Sequence, residues 1–455
     1  MIKALRNYIN PQISSPPDKN LLNEIVYPYF NNNGVIVWYD GTQQTFIDQG
    51  YKGNALVYSI IRKIADKGKV CPVYVYKESG KEKKYKGAKY SAKELNRAQS
   101  LVFRTKELTD VPVSDPLKTL LESPNPRQTW SEFLSDMFTW YDTSGEIFIY
   151  GMTPENGLNK GKVQEMYVMP SNYVELVQGG TFEPVRGYKL AIGNQSIEIP
   201  NSMVCHIKTT NLTWDLQGSQ LRGQSPILAG LKTVQGNSES VTAQTNAYQN
   251  QGAKGIISPN VQNPEMWPTP AQREAIDNRV DERINGSANI NRVVASSLPL
   301  RYDAIGLSPV ALGIIESQNM SLQTLCGLWG LNPVLFQPNA TNANLEGAQK
   351  ALVTDVIMPR LQLFEEKLTE WLTVGYGPEY VIDFDTSSYA ELQPDIELIF
   401  KTFGNSPAIN LNELRTMVGF DESEYEGMND HWISSSLVPL KDALNSQADF
   451  VDFQE

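Results

Sequence analysis

Histidine and cysteine are scarce in this chain of 455 residues, with two of the first and three of the second. A Ser-His-Asp site would have to use His206 or His431. His206 falls inside an apolar strand pattern, which marks a core or interface residue, and His431 lies in an acidic loop beside Trp432. Cys71, Cys205 and Cys326 are far apart and set among apolar residues, so buried reduced thiols are expected rather than disulfides or a zinc site. No Gly-x-x-x-x-Gly-Lys-Ser/Thr run occurs, because Gly68-Lys69, Gly80-Lys81 and Gly161-Lys162 are followed by Val, Glu and Val. The chain is therefore expected to lack a phosphate-binding loop of its own. No apolar run approaches the roughly 18 residues that span a bilayer, and the stretch from Met1 to Gln12 lacks the apolar centre of a signal peptide. The sequons at Asn194, Asn211, Asn285, Asn319 and Asn339 accordingly carry little meaning. Gly223-Gln224-Ser225-Pro226-Ile227 opens like a nucleophile elbow but has Ile where the last glycine belongs, and Pro226 makes Ser225 a natural helix cap. No catalytic residue, cofactor or resident metal is expected.

A basic excess is also missing: the net charge is −12. It is unevenly spread. Ten basic residues stand against three acidic ones between Lys77 and Lys106, whereas Gly377 to Glu455 holds three basic and sixteen acidic residues, a net of −13. A protein that grips nucleic acid tightly is usually basic overall or carries a basic stripe. Any DNA partner should therefore meet a repulsive, non-adhesive surface. Asp383 and Asp385 lie two apart on a strand and share a face. A solvated strand edge is the expectation there, with a divalent cation as the alternative.

What is present is enough apolar material, 41% of residues, for real cores, and enough length for about two to four domains. The most telling stretch runs from Val204 to Ser258. A short strand, Val204 to Ile207, leads through a loop to Ser225-Pro226, an N-cap followed by proline at the first helical position. The helix that follows should reach Gln251, about 26 residues and roughly 39 Å at 1.5 Å per residue. Its apolar stripe is thin (Ile227, Leu231, Val234, Val241, Tyr248) and is flanked by small or amide side chains, including Ser238 and Thr242. A helix buried in a domain shows a broader apolar face. This one is built to stand beside other helices through Val234, Ser238, Val241 and Thr242, as a wall in an assembly.

The rest of the chain reads as follows. An irregular N-terminal segment precedes a helix over Asn54 to Lys67 and a strand over Val70 to Tyr76. The Lys-rich insertion comes next, then a short helix after Asp115-Pro116 and a longer one from Trp130 to about Thr143, capped by Thr129. Six short strands follow: Glu146–Tyr150, Val163–Met169, Tyr173–Val177, Tyr188–Ile192, Ser196–Ile199 and Val204–Ile207. Helices followed by strands make this an α+β fold. Beyond the long helix a compact protrusion carries a strand (Gly255–Ser258), a helix from Pro270 to about Ile284 and strands around Arg292–Ala295 and Leu300–Tyr302. Ser308-Pro309 then starts a returning helix that runs to Trp329. The loop from Gln337 to Asn344 has no large apolar residue. A third long helix, Leu345 to Leu372, contains Pro359, which cannot donate to the carbonyl of Asp355 and must kink it. A strand over Tyr380–Phe384 and short acidic helices near Ala390–Thr402, Leu411–Val418 and Leu440–Ser446 close the chain.

Seven fragments in this order resemble the portal proteins of tailed bacteriophages, most closely the HK97-like portal family, from about Asn54 to Asp421. They are NALVYSIIRKIADKGKVCPVYVYK, DPLKTLLESPNPRQTWSEF, SGEIFIYG, MVCHIKTT with LRGQSPIL, LWGLNPVLF, VIMPRLQLFEEKLTEWL and NLNELRTMVGF. Two departures stand out: Glu146 where a small or amide residue is common, and Asn332 in place of the first proline of the family's turn.

The resemblance implies a portal fold: an N-terminal arm over 1–50, an α+β wing over 51–224, and a stem helix over 225–252. A clip over 253–306, a second stem helix over 307–330 and a tunnel loop over 331–344 would follow. The wing would resume over 345–386, with a helical crown and tail over 387–455. It also implies a homo-oligomeric ring, usually of twelve subunits, at one capsid vertex of the virion, assembled in the host bacterial cytoplasm. Its partners would be double-stranded DNA passing without sequence specificity, the terminase packaging motor, a head–tail adaptor and the major capsid protein. Pro338, Asn339, Thr341, Asn342 and Asn344 would face the DNA. Small polar side chains of this kind can approach a phosphate backbone without trapping it. Two alternatives stay open, another head–tail connector or minor capsid protein, and a carbohydrate-binding or hydrolytic protein encouraged by 21 Tyr, 8 Trp and many carboxylates.

Overall fold

The computed structural model describes residues 36–37, 42–77, 109–154, 156–157, 159–179, 184–193, 195–214, 218–249, 255–259, 269–283, 300–304, 314–393, 399–401, 409–418, 420, 422–430, 432–433 and 438–439. Strand β1 (Ile36–Val37) is followed by helix α1 (Thr42–Thr45), which runs directly into a π-helical turn over Phe46–Tyr51. Phe46 is fully buried and Gln43 nearly so. The arm expected over 1–50 therefore gives way to packed structure before its end, because an aromatic side chain finds the core there.

Helix α2 (Ala55–Gly68) buries Val57, Ile60, Ile61 and Ile64. Asn54 caps it, accepting from the backbone N–H groups of Leu56 at 3.1 Å and Val57 at 3.2 Å. Strands β2 (Val73–Lys77) and β3 (Thr109–Asp110) flank the Lys-rich insertion, most of which lies outside the described residues. Helix α3 (Pro116–Glu122) starts at the expected Asp115 cap. Helix α4 (Trp130–Ser144) starts at Thr129, whose side chain and that of Glu132 form a reciprocal capping box. It ends at Gly145, whose φ of 77° is a left-handed turn that favours glycine.

All six predicted strands are present: β4 (Glu146–Met152), β5 (Glu165–Met169), β6 (Val174–Gln178), β7 (Val185–Ile192), β8 (Gln195–Pro200) and β9 (Val204–Lys208). They divide between two antiparallel sheets, ordered β5-β4-β9 and β1-β6-β7-β8. The period of two along β4 explains the division. Ile147 and Ile149 face the main core with Phe133 and Phe138, while Phe148 faces a second core with Leu176, Tyr188 and Ile199.

Helix α5 (Pro226–Gln249) is the long helix the Ser-Pro start predicts. Beyond it come β10 (Gly255–Pro259), α6 (Pro270–Arg283) and β11 (Leu300–Ala304), with β10 and β11 paired antiparallel in full register. The strand expected near 292–295 lies outside the described residues. The returning helix, α7, is described over Ile314–Trp329, so its Ser308-Pro309 start is likewise outside them.

After α7, a 3-10 turn over Pro333–Phe336 leads to α8 (Asn342–Ala351), a π-helical turn over Leu352–Ile357, and α9 (Met358–Tyr376). Two expectations are corrected here. The loop is shorter than 331–344, since Asn342 and Asn344 already form the first turn of α8. The helix broken at Pro359 changes register instead of merely bending: proline supplies no N–H, and the preceding turn widens to i−5 pairing, with Met358 N–H bonded to the Val353 carbonyl.

Strand β12 (Tyr380–Phe384) joins β2 and β3 in a third sheet and is buried along its whole length. Asp383 and Asp385 are therefore buried, at 1% and 6% exposure, and the expected solvated edge is wrong because α9 covers the strand. Asp385 Oδ1 accepts from Ser387 N at 3.0 Å and from its hydroxyl at 2.5 Å. Among the described residues no cluster of His, Cys, Asp or Glu could hold a metal. Within the helix expected over Ala390–Thr402, Ala390–Leu392 forms a 3-10 turn and 399–401 is helical, and residues 394–398 between them lie outside the described ones. Helix α10 (Leu411–Val418) is present, and strands β13 (Trp432–Ile433) and β14 (Val438–Pro439) pair after it. The helix expected near 440–446 lies outside the described residues, as does His431.

Candidate functional site

Helices α5 and α7 pack side by side. Gly230 makes the approach close: a Cβ there would lie 2.2 Å from Leu328 Cδ1. Farther along, Gln318 Nε2 donates to Gln244 Oε1 at 3.0 Å. Ile227, Val234 and Val241 are seven residues apart and hence on one stripe, because seven residues make nearly two turns. Exposure along that stripe climbs from 0% at Ile227 and 1% at Val234 to 48% at Val241. The body covers the first two. Gly50 lies against Ile227, and the Asn54 amide donates to the Val234 carbonyl at 3.3 Å and to Asn237 Oδ1 at 3.0 Å. Past that point the described residues leave Val241 about half uncovered. On α7, Met320 is 67% exposed while Leu325 and Cys326, nearer the body, are fully buried.

Several hydroxyls on these helix surfaces are satisfied within their own helices, although Ser240 Oγ is not. Ser238 Oγ donates to the Val234 carbonyl at 3.0 Å, Thr242 Oγ1 to Ser238 at 2.9 Å and Thr245 Oγ1 to Val241 at 3.0 Å. Ser321 and Thr324 on α7 do the same. Those five hydroxyls can be covered by another helix without being stranded, which would otherwise cost about 1–3 kcal/mol each.

The loop between α7 and α8 turns at Gly330, with φ 75°, and is stiffened where Asn332 Oδ1 accepts from Val334 N at 3.0 Å. Pro338, Asn339, Thr341, Asn342 and Asn344 are all exposed. The structure thus leaves all five exposed, three before α8 and two in its first turn. Val234 and Val241, in contrast, end in different environments.

Two buried polar clusters went unread in the sequence. Asp142 accepts from Arg360 Nη2 at 2.8 Å and Nε at 3.1 Å, and its backbone carbonyl accepts from Trp329 Nε1 at 3.1 Å. Burial pushes its carboxyl above the ordinary range, with Arg360 opposing. The second cluster centres on Glu146, which has no exposed surface. Its Oε1 accepts from Arg222 Nε and Gln43 Nε2, both at 3.0 Å, and its Oε2 from Gly223 N at 2.8 Å, with His206 Nε2 3.2 Å away. Burial alone would raise the Glu146 pKa, but Arg222 and the hydrogen bonds outweigh it and hold it below the usual value. His206, stacked on Phe148 at 4.2 Å, is kept largely neutral by burial, against the pull of Glu146. It is the satisfied core histidine the strand pattern predicts. Cys71, Cys205 and Cys326 are likewise buried thiols outside any disulfide, as expected. The one sequence signal for the Glu146 cluster was a charged residue in a strand where a small or amide side chain is common.

Comparison with known proteins bears on this architecture. An uncharacterized protein of Rickettsia bellii (strain RML369-C) is 23% identical over 316 residues, covering 68% of this chain and 79% of that one. Among solved structures, the virion of a native gene transfer agent particle contains a chain that superposes with a TM-score of 0.61 at 19% identity, covering 88% of this chain and 99% of that one. The neck of the native particle, computed with C12 symmetry, gives 0.60 at 18% identity over 89% and 100%. At these identities the likeness is one of fold. The family model described as phage portal protein matches residues 55–419, most of the chain and nearly the whole span over which the seven fragments run. The chain belongs to the phage portal protein family.

Proposed function

We propose that this chain is the subunit of a twelve-membered ring at one capsid vertex of a virion, forming the channel through which double-stranded DNA is packaged and released. Its role is structural and not catalytic. The observation that carries the reading is the α5–α7 pair, whose stripe is buried by the body at one end and half-exposed at the other. A neighbouring copy supplies the missing cover. The C12 symmetry of the related neck supports the ring and its number. In this reading α5 and α7 are the stem and β10, α6 and β11 the clip. The loop from Gln337 to Thr341 with the first turn of α8 is the tunnel loop, and the chain from about 387 onward is the crown and tail. Its side chains are uncharged from Gln337 to Leu345, so DNA slides past it held only by weak polar contacts that carry no sequence information.

The clip is the docking site for the packaging motor and later for a head–tail adaptor, since residues 270–275 of its helix are all exposed. Excising 260–299 and joining β10 to β11 through a short Gly/Ser linker should leave rings intact and abolish motor-dependent packaging in vitro. Normal packaging by the truncated ring would refute the clip assignment.

A further inference from the structure

The four residues that precede α5 are fastened one by one to the corner where α4 turns into β4. Arg222 is 1% exposed and donates to Glu146; besides this, its Nη1 donates to the Val174 carbonyl at 2.5 Å and its Nη2 to that of Ser171 at 3.0 Å. Gly223 N donates to Glu146 Oε2 at 2.8 Å. Gln224 N donates to Thr209 Oγ1 at 2.8 Å, and Thr209 N in turn donates to the Gly145 carbonyl at 2.8 Å. Ser225 Oγ donates to the Thr143 carbonyl at 2.5 Å while accepting from Ile227 N at 3.1 Å. The two backbones cross in contact. A Cβ on Gly223 would lie 2.1 Å from the Gly145 oxygen, and one on Gly145 2.2 Å from the Gln224 oxygen. Three residues before Gly145, the Asp142 carbonyl receives Trp329 Nε1, so the far end of α7 is fastened to the same helix end.

Apolar packing resists separation but has little directional preference, whereas hydrogen bonds fix angles. Buried ion pairs add little net stability, and in some systems they specify geometry instead. A joint composed almost wholly of such bonds, placed where both long helices meet the body, fixes a direction. We propose that the crossing of residues 143–146 with 222–225, braced by Thr209, is the rigid joint that sets the angle at which the helical pair leaves the body, and through it the number of subunits in the ring. Glu146, Arg222 and Thr209 are its positioning residues. The inference rests on the ring reading above. Ring closure is sensitive to such an angle: twelve copies turn about 30° each and thirteen about 28°, so roughly 2° per subunit separates them.

The test uses the full chain and counts subunits per ring by native mass spectrometry and by image classification. Wild type is measured beside Glu146→Gln and Thr209→Val, with circular dichroism to check folding. Thr209→Val removes the side-chain bonds of the brace while keeping side-chain shape and leaving no buried charge unpaired, so it decides the matter if Glu146→Gln does not fold. Wild type should give one count, and the variants a several-fold rise in rings with one subunit more or fewer. Folded variants of reduced thermal stability whose rings keep the wild-type count would show a merely structural role and overturn the proposal. A folded wild-type chain that closes no ring overturns the ring reading itself, and the joint with it.

Discussion

Val234→Ala and Val241→Ala form a matched pair, because the two valines share a stripe of α5 and differ in cover. Each change removes two methyl groups, worth about 1.6 kcal/mol at roughly 0.8 kcal/mol per buried carbon. Val234 is 1% exposed within the chain, so a residual cavity adds to that loss, giving about 2–3 kcal/mol. Val241 is 48% exposed, so within an isolated subunit its truncation should cost under about 1 kcal/mol. In the ring the order changes. If a neighbouring helix covers Val241, each interface loses about 1 kcal/mol or more, a roughly fivefold or greater weakening per contact, repeated at every interface around the ring. The assay is urea denaturation followed twice, by circular dichroism for the subunit and by mass photometry for the ring. Val234→Ala should lower the midpoint of subunit unfolding. Val241→Ala should leave that midpoint nearly unchanged and shift ring dissociation to lower urea. Rings of Val241→Ala that dissociate at the wild-type urea concentration would refute the claim that the exposed end of the stripe is covered in the assembly.

Converting Asn342 and Asn344 to Lys adds positive charge at the exposed first turn of α8. It should slow packaging at low salt, with relief as salt rises, since phosphate contacts are salt-dependent; an unchanged rate at low salt would place this turn away from the DNA. Acid should destabilise the fold in two stages. His206 has its pKa lowered from 6.5, so its contribution is full above 6.5 and is lost as pH falls from there toward the folded value. Glu146 has its pKa lowered from 4.5, so its contribution persists to lower pH and is lost as pH falls through the folded value. Melting temperatures followed from about pH 8 to well below 4.5 should show both, and His206→Gln should remove the first. The thiols should resist a disulfide reagent until the chain unfolds, since burial pushes Cys205 to about 12 and Cys326 to about 11; rapid labelling of the native protein would contradict their placement.

Local signals in the sequence survived folding well. Caps at Thr129 and Ser225 and the Asp-Pro start at Asp115 open their helices because each is a short-range contest between a side chain and a few free N–H groups. The alternation in β4 through β9 was legible for the same reason, but the division into two sheets was not, since it depends on which face of β4 meets which partner. Asp383 and Asp385 misled because their charge argues for solvent, while their burial follows from α9 folding back over β12, with Phe384 N donating to Glu365, 19 residues earlier. Loop length was overestimated because Asn342 and Asn344 are weak helix formers, yet Thr341 opens a helix at that point. The Glu146–Arg222 joint was beyond reach: its partners are 76 residues apart, and no local pattern announces a buried ion pair.

The ring is the central claim, and electron microscopy of the purified full-length protein tests it most directly. A closed ring of twelve copies, with α5 and α7 of neighbouring copies in contact and Pro338, Asn339 and Thr341 at the narrowest point of an open bore, is the predicted result. A monomer, or a closed assembly in which Val241 faces solvent and no bore runs through the centre, would contradict it.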